Sequence, residues 1–173
     1  MENQKFGVRR SRETTKPKAN CPEALFYYCS HCGSVFQGTI IRNACIPSCC
    51  NEKMALLKPK EFLDFSSSIL INYRIIGGYN ENAVEVLWQI KEDKSILEWI
   101  YLKTFTGGQL KYVTNQKKAS FTFALADEDA YVYCDEDPCL ECTFRCKRGF
   151  EIYGYLKEKG LIKIPLERMQ ASW

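Results

Sequence analysis

The chain has 173 residues, of which 46% are hydrophobic and 26% are charged, which is the balance of a globular protein rather than a disordered one. The net charge is +3, but residues 1–20 carry +4 and the rest of the chain −1, so the nearly neutral body is not expected to bind nucleic acid. Ten cysteines against one histidine exclude any site that needs several imidazoles.

Residues 1–22 form a polar, basic leader that lacks the apolar core of a secretory signal. No window approaches about 18 consecutive apolar residues, so no membrane association is expected. We therefore expect a cytoplasmic protein. Structural disulfides are rare in a reducing cytoplasm, and clustered cysteines there indicate metal ligands or redox groups.

The segment of residues 23–60 is short and loop-rich, and its glycines and prolines indicate turns. A unit of this size cannot bury enough apolar surface to hold itself together. Several thiolates on one metal ion would supply the missing stability. The sequence thus predicts a small metal-binding domain over residues 23–60.

Residues 61–173 are rich in β-branched and aromatic residues and read as a strand-rich domain. Six short strands with turn signals between them predict an antiparallel β-sandwich. The predicted strands cover residues 68–76, 83–90, 96–105, 109–114, 119–126 and 130–134. One further strand at 151–156 and a short helix at 165–171 complete the prediction, so the fold class is mainly β.

The first cysteine cluster contains the motif Cys29-Ser-His-Cys32-Gly33. Two thiolates at this spacing can grip one metal ion, and the glycine permits the tight turn around it. Sixteen residues later come Cys49 and Cys50, whose adjacent side chains can bind the same ion only if the backbone bends locally. The spacing predicts a tetrathiolate site, for either zinc or iron.

Two other residues compete for this site. Cys45 could replace Cys50 as the fourth ligand, since it also lies a short loop away from Cys49. His31 lies inside the first motif, but a histidine there more often faces solvent than a metal. We assign no role to Cys21.

The segments Phe26-Tyr-Tyr-Cys29-Ser-His-Cys32-Gly33 and Pro47-Ser-Cys49-Cys50-Asn-Glu-Lys-Met54-Ala-Leu-Leu57 resemble the N-terminal iron domain of desulfoferrodoxin. That family has a CxxCG knuckle, a paired CC, a methionine four residues later and leucines just beyond. The resemblance implies a rubredoxin- or desulforedoxin-like fold. It also implies a tetrathiolate iron centre on Cys29, Cys32, Cys49 and Cys50, one-electron chemistry with a redox protein partner, and a homodimer.

Residues 95–100 and 130–137 are similar to the superoxide reductase module of the same family, an immunoglobulin-like sandwich whose iron takes four histidines and one cysteine. The resemblance places the cysteine on Cys134. It places the histidines on Gln89, Ser95, Asp137 and a position within 62–66, where this chain has none. Superoxide reductase chemistry is therefore not expected and no catalytic residue is predicted. The sandwich can persist without that site.

The second cysteine cluster comprises Cys134, Cys139, Cys142 and Cys146, four thiols within 13 residues that can converge on one ion or cluster. Three interpretations stay open: an iron–sulfur cluster, a zinc site, or free and disulfide-switching thiols. Lys147 and Arg148 follow directly, either as cations that lower thiol pKa values or as ordinary surface charge.

Three functions follow from these observations. The first is an iron-binding redox protein, most simply for one-electron transfer, related to desulfoferrodoxin but without its histidine site. The second is a zinc-stapled interaction module with no enzymatic role. The third is a divergent reductase of superoxide or another oxidant that uses an altered site built on Cys134.

Overall fold

The computed structural model describes residues 22–39, 45–77, 82–92, 95–104, 106–115, 118–126 and 147–166. Regular structure in these ranges is a set of strands and one turn of 3-10 helix, Phe62–Phe65. The strands are β1 Ala24–Tyr28, β2 Val35–Thr39, β3 Ser48–Cys49, β4 Glu52–Lys53, β5 Ala55–Leu56, β6 Lys60–Glu61, β7 Ile69–Ile76, β8 Ala83–Ile90, β9 Leu97–Lys103, β10 Gly108–Tyr112, β11 Ser120–Ala124, β12 Glu151–Leu156 and β13 Gly160–Pro165. None of the described segments is a helix long and apolar enough to cross a membrane.

Two sheets face each other across the main core. The large sheet has the strand order β10-β9-β12-β13-β6, and the small sheet has the order β11-β8-β7. Pairing is antiparallel except between β13 and β6. In β7 every second side chain from Ile69 to Ile75 is buried, which is the period of a strand with one face in a core. The facing sides contribute to one cluster of twenty buried residues, which include Phe123 and Ile100. The predicted mainly-β sandwich is confirmed.

Strand β9 of the large sheet contributes side chains to two buried clusters, one on each face, and contains an irregularity. Leu97, Ile100 and Leu102 enter the main core, whereas Trp99 and Tyr101 belong to a second cluster on the opposite face. Regular alternation would put Leu97 and Ile100 on opposite faces. The register of the β9–β12 pair shifts beside Leu97, and this bulge turns both side chains inward.

The opposite face of the large sheet is covered by a third sheet of order β2-β1-β5, here called the knuckle sheet. Its central strand places the Phe26 ring 4.9 Å from Trp99, 5.3 Å from Tyr101 and 5.3 Å from Tyr153. Strand alternation then directs the side chain of Cys29 to the outer face of the knuckle sheet. The aromatic layer anchors the first cysteine turn on the sandwich.

Most predicted strands match observed ones, but the C-terminal prediction is partly wrong. The predicted helix cannot begin at residue 165, because Pro165 ends β13. Leu161 and Ile162 of this strand are buried and Ile162 pairs with Gly154, so sheet pairing and burial decide its structure. Residues 130–134 and 167–171 lie outside the described residues. The division of the chain at residue 60 stays a prediction.

Candidate metal centre

The first pair of cysteines sits in the turn that joins β1 to β2. Cys29 directly follows β1, and its backbone N–H donates to the Ser34 carbonyl at 2.9 Å. The Gly33 N–H donates back to the Cys29 carbonyl, also at 2.9 Å. Gly33 has φ +71°, a left-handed conformation that glycine adopts without steric cost. Backbone hydrogen bonds therefore fix the turn that carries Cys29 and Cys32.

The second pair sits in a two-residue hairpin between β3 and β4, in which Cys49 pairs with Glu52. The two turn residues, Cys50 and Asn51, have φ of 49° and 67°, as a type I′ turn requires. Asparagine tolerates this conformation, but a cysteine there carries backbone strain of about 1–3 kcal/mol. The strained turn is the local bend that lets adjacent cysteines approach one another, with Sγ atoms 3.9 Å apart.

The four sulfurs converge on one point. The Sγ atoms of Cys29, Cys32, Cys49 and Cys50 all lie within 4.8 Å of one another, and the Cys32–Cys49 pair is 3.5 Å apart. A tetrahedral ion with metal–sulfur bonds of about 2.3 Å needs its sulfurs about 3.8 Å apart. The arrangement and the all-sulfur donor set therefore fit a single zinc or iron ion.

The sulfurs differ in their exposure to solvent. Cys29 is buried beside Tyr27 and Met54, and Cys49 is half-buried at the edge of the same small cluster. Cys32 and Cys50 are exposed. The centre thus has a protected side toward the knuckle sheet and an open side toward solvent.

Hydrogen bonds make the thiols electrostatically unequal. The hydroxyl and the backbone N–H of Ser34 lower the pKa of the Cys32 thiol to about 6. Hydrogen bonding to Cys32 and Cys49 raises the pKa of Cys50 to about 12, and bonding to Cys32 raises the pKa of Cys49. Without an ion, one thiolate at Cys32 would be held by neighbouring S–H groups. A bound cation must displace those protons.

The competing ligands lie outside this group. Cys45 is exposed and does not join the four sulfurs, although the spacing allowed it. His31 is exposed, as expected, and its Nε2 lies 3.0 Å from Glu52 Oε2. That contact links the first cysteine turn to β4.

The corner at which the resemblance places histidines holds a different polar cluster. Gln89 is exposed on β8, whereas Ser95 is buried and its Oγ donates to Glu92 Oε2 at 3.2 Å. Lys159 pairs with the same carboxylate, and its Nζ donates to the buried Ser68 Oγ at 2.5 Å. These groups satisfy one another, so this part of the described chain offers no set of metal ligands.

The second cysteine quartet lies outside the described residues, as does Asp137. Metal or cluster binding by Cys134, Cys139, Cys142 and Cys146 therefore stays a prediction. The structure does describe Lys147, which directly follows the quartet, and its burial excludes one of the two interpretations given for it. Lys147 is completely buried, so it is not ordinary surface charge.

Two features of the centre were missed by reading the sequence. Asn51, directly after the paired cysteines, is a residue that favours left-handed turns and could have indicated the type I′ hairpin. The contact between Ser34 Oγ and Cys32 Sγ, at 3.0 Å, has no comparable signal in the spacing of the motif.

Comparison with known proteins supports the fold. No protein-family model matches the sequence, and no curated protein has a matching sequence. Among solved structures, the superoxide reductase from Treponema pallidum is similar, with a TM-score of 0.55 and 17% sequence identity. The match covers 82% of this chain and 98% of that one. The chain therefore has a superoxide-reductase-like β fold, and at this identity the likeness extends to the fold alone.

Proposed function

We propose that the protein is an iron-binding redox protein that transfers single electrons through the cysteine quartet of the knuckle. The observation that carries the proposal is the convergence of four sulfurs within 4.8 Å on two turns of different chain segments. The resemblance of those turns to the iron domain of desulfoferrodoxin favours iron over zinc. A bound iron would supply a one-electron couple.

The protein's own residues fit this role in three ways. Thiolates from Cys29, Cys32, Cys49 and Cys50 would provide the complete ligand set, which leaves no open coordination position for substrate. Burial of Cys29 beside Met54 keeps water from one side of the centre. The exposed sulfurs of Cys32 and Cys50 form the side at which a redox protein partner would exchange electrons.

The family's superoxide reductase chemistry does not enter this proposal. The only histidine of the sequence is His31, in the knuckle, and the sandwich corner is occupied by Ser68, Glu92, Ser95 and Lys159. A reductase built on Cys134 has no support from the described residues. Rapid oxidation of the reduced protein by superoxide that is lost in Cys134→Ala would favour that function instead.

Metal analysis and visible spectroscopy of the purified protein test the proposal. We expect a red or brown protein whose colour bleaches on one-electron reduction. Cys50→Ser should lower the iron content by one atom per chain and remove the charge-transfer bands of this centre. Cys45→Ser is the matched control, because Cys45 is exposed and lies outside the quartet, and it should keep both.

A zinc-stapled interaction module is the second candidate, and one observation favours it. Phe36 and Leu56 are 51% and 45% exposed and lie opposite Tyr27 on the two edge strands of the knuckle sheet. Such side chains beside a structural ion would suit a binding surface. A colourless protein that carries stoichiometric zinc in the quartet would favour this candidate and reject electron transfer.

A further inference from the structure

Cys32 differs from the other three cysteines of the quartet in its hydrogen bonding. Ser34 Oγ lies 3.0 Å from Cys32 Sγ. Among the described residues, Cys32 is the one quartet sulfur that a side-chain hydroxyl contacts. The serine thus touches the centre without belonging to its ligand set.

The direction of this hydrogen bond follows from the chemistry of the centre. A metal-bound cysteine is a thiolate and carries no proton, so the Ser34 hydroxyl must be the donor. The carbonyl of Ser34 accepts from the Cys29 N–H at 2.9 Å, and Gly33 holds the turn in its left-handed conformation. These backbone bonds therefore place Ser34 beside Cys32, where its hydroxyl can reach the sulfur.

We propose that Ser34 is a positioning residue that raises the reduction potential of the cysteine centre. This inference rests on the proposed function. Reduction adds one electron from an external donor and makes the centre more negative, and a hydrogen bond to a ligand sulfur stabilises the more negative state. Ser34 is exposed, so water competes with the bond and the effect is moderate.

The test is a potentiometric titration of three variants of the iron-loaded full chain, with redox dyes as mediators. Ser34→Ala should lower the equilibrium constant for reduction about tenfold, equivalent to about 59 mV for a one-electron couple. Ser34→Thr keeps the hydroxyl and should restore the potential. Ser30→Ala removes an exposed serine from the same turn and should leave the potential unchanged.

Loading the protein with cobalt(II) chloride gives a readout that needs no redox change. The energy of the sulfur-to-cobalt charge-transfer band depends on the electron density at Cys32, so the band should move in Ser34→Ala and not in Ser30→Ala. A potential and a cobalt band that are both unchanged in Ser34→Ala would overturn the inference, as would an equal shift in Ser30→Ala.

The same experiments separate this inference from the proposed function. A native protein that contains zinc in the quartet rejects the redox function, and with it any physiological role of Ser34 in setting a potential. An iron-containing protein that titrates normally, with Ser34→Ala indistinguishable from the unaltered chain, rejects the role of Ser34 alone.

Discussion

The cysteine centre and the β-sandwich are held together by different forces. The sandwich buries twenty residues of its described part in one apolar cluster between two sheets. The centre rests on a cluster of three buried residues, Tyr27, Cys29 and Met54, and its second turn joins strands only two residues long. Apolar burial accounts for the first region, whereas in the second the proposed ion would hold the two turns together.

The comparison also shows why the sandwich corner can be stable without a metal ion. At the sandwich corner, Ser68, Ser95, Glu92 and Lys159 satisfy one another, and the core beneath them does not depend on a metal. In the knuckle, loss of a single cysteine would leave a strained turn at Cys50 without the ion that offsets the strain. Within the described residues, metal dependence should therefore be confined to the knuckle.

Removing the proposed ion should give the largest effect, and it should loosen the knuckle while the sandwich keeps its structure. Structural zinc sites supply about 10–16 kcal/mol of binding free energy, so a chelator should release the cysteine turns. The amides of Gly33 and Met54, bonded to Cys29 and Pro47, should exchange hydrogen at least a hundredfold faster. Hydrogen-exchange mass spectrometry is the measurement.

The control for this experiment lies in the sandwich. The amides of Trp88 and Leu166, bonded to Ala119 and Phe150, should exchange at the same rate with and without the ion. A uniform loss of protection in both regions would contradict the separation of forces, because it would make the sandwich depend on the metal as well.

A core truncation should show the converse behaviour. Phe123 is fully buried between the sheets, so Phe123→Ala should lower the free energy of unfolding by about 3–5 kcal/mol. The metal content should not change. Urea unfolding with metal analysis measures both, and Phe36→Ala, at a half-exposed ring, should change stability by no more than about 0.5 kcal/mol. Metal loss in Phe123→Ala under native conditions would contradict the claim that different forces stabilise the sandwich and the cysteine centre.

The smallest effect concerns Glu151, at the edge of the aromatic layer between the two regions. Its carboxylate accepts from Lys103 at 3.1 Å, Lys163 at 2.5 Å and the Tyr153 hydroxyl at 2.7 Å. Burial raises the pKa of Glu151, but the hydrogen bonds from Lys163, Tyr153 and Lys103 outweigh it and the net pKa is lowered.

A lowered folded-state pKa means that this stabilisation is present above the unfolded pKa of about 4.3 and is lost as pH falls through the folded value. Glu151→Gln should cost about 1–2 kcal/mol at pH 7 and flatten the acid dependence of unfolding. The exposed Glu61→Gln should not. The measurement is the unfolding free energy of each protein from pH 7 to pH 3. Parallel curves for Glu151→Gln and the unaltered chain would contradict a stabilising role of the ionised Glu151 carboxylate.

The sandwich was predictable because local pattern and burial agree along most of it. In the segments of β7 and β8 apolar residues recur at every second position, which is the pattern of a half-buried strand. β13 was missed although it forms a hairpin with β12, because its short apolar run ends in Pro165. Its other partner, β6, lies far away in the sequence, and that pairing is not encoded locally.

The cysteine quartet was predictable as a set but not in its geometry. Spacing indicated Cys29, Cys32, Cys49 and Cys50 but left Cys45 as a competitor, and the turn at Cys50 is what places the fourth sulfur. The hydrogen bond from Ser34 depends on backbone conformation, which motif spacing does not specify.

The most direct test is the number of electrons that the protein accepts, measured by coulometric titration together with iron content for the unaltered chain and Cys50→Ser. The proposed function predicts one more iron atom and one more electron per chain in the unaltered protein than in the variant. Equal values in the two proteins would contradict a redox centre on these four sulfurs. So would the finding that the ion present in the unaltered chain and absent from Cys50→Ser is zinc.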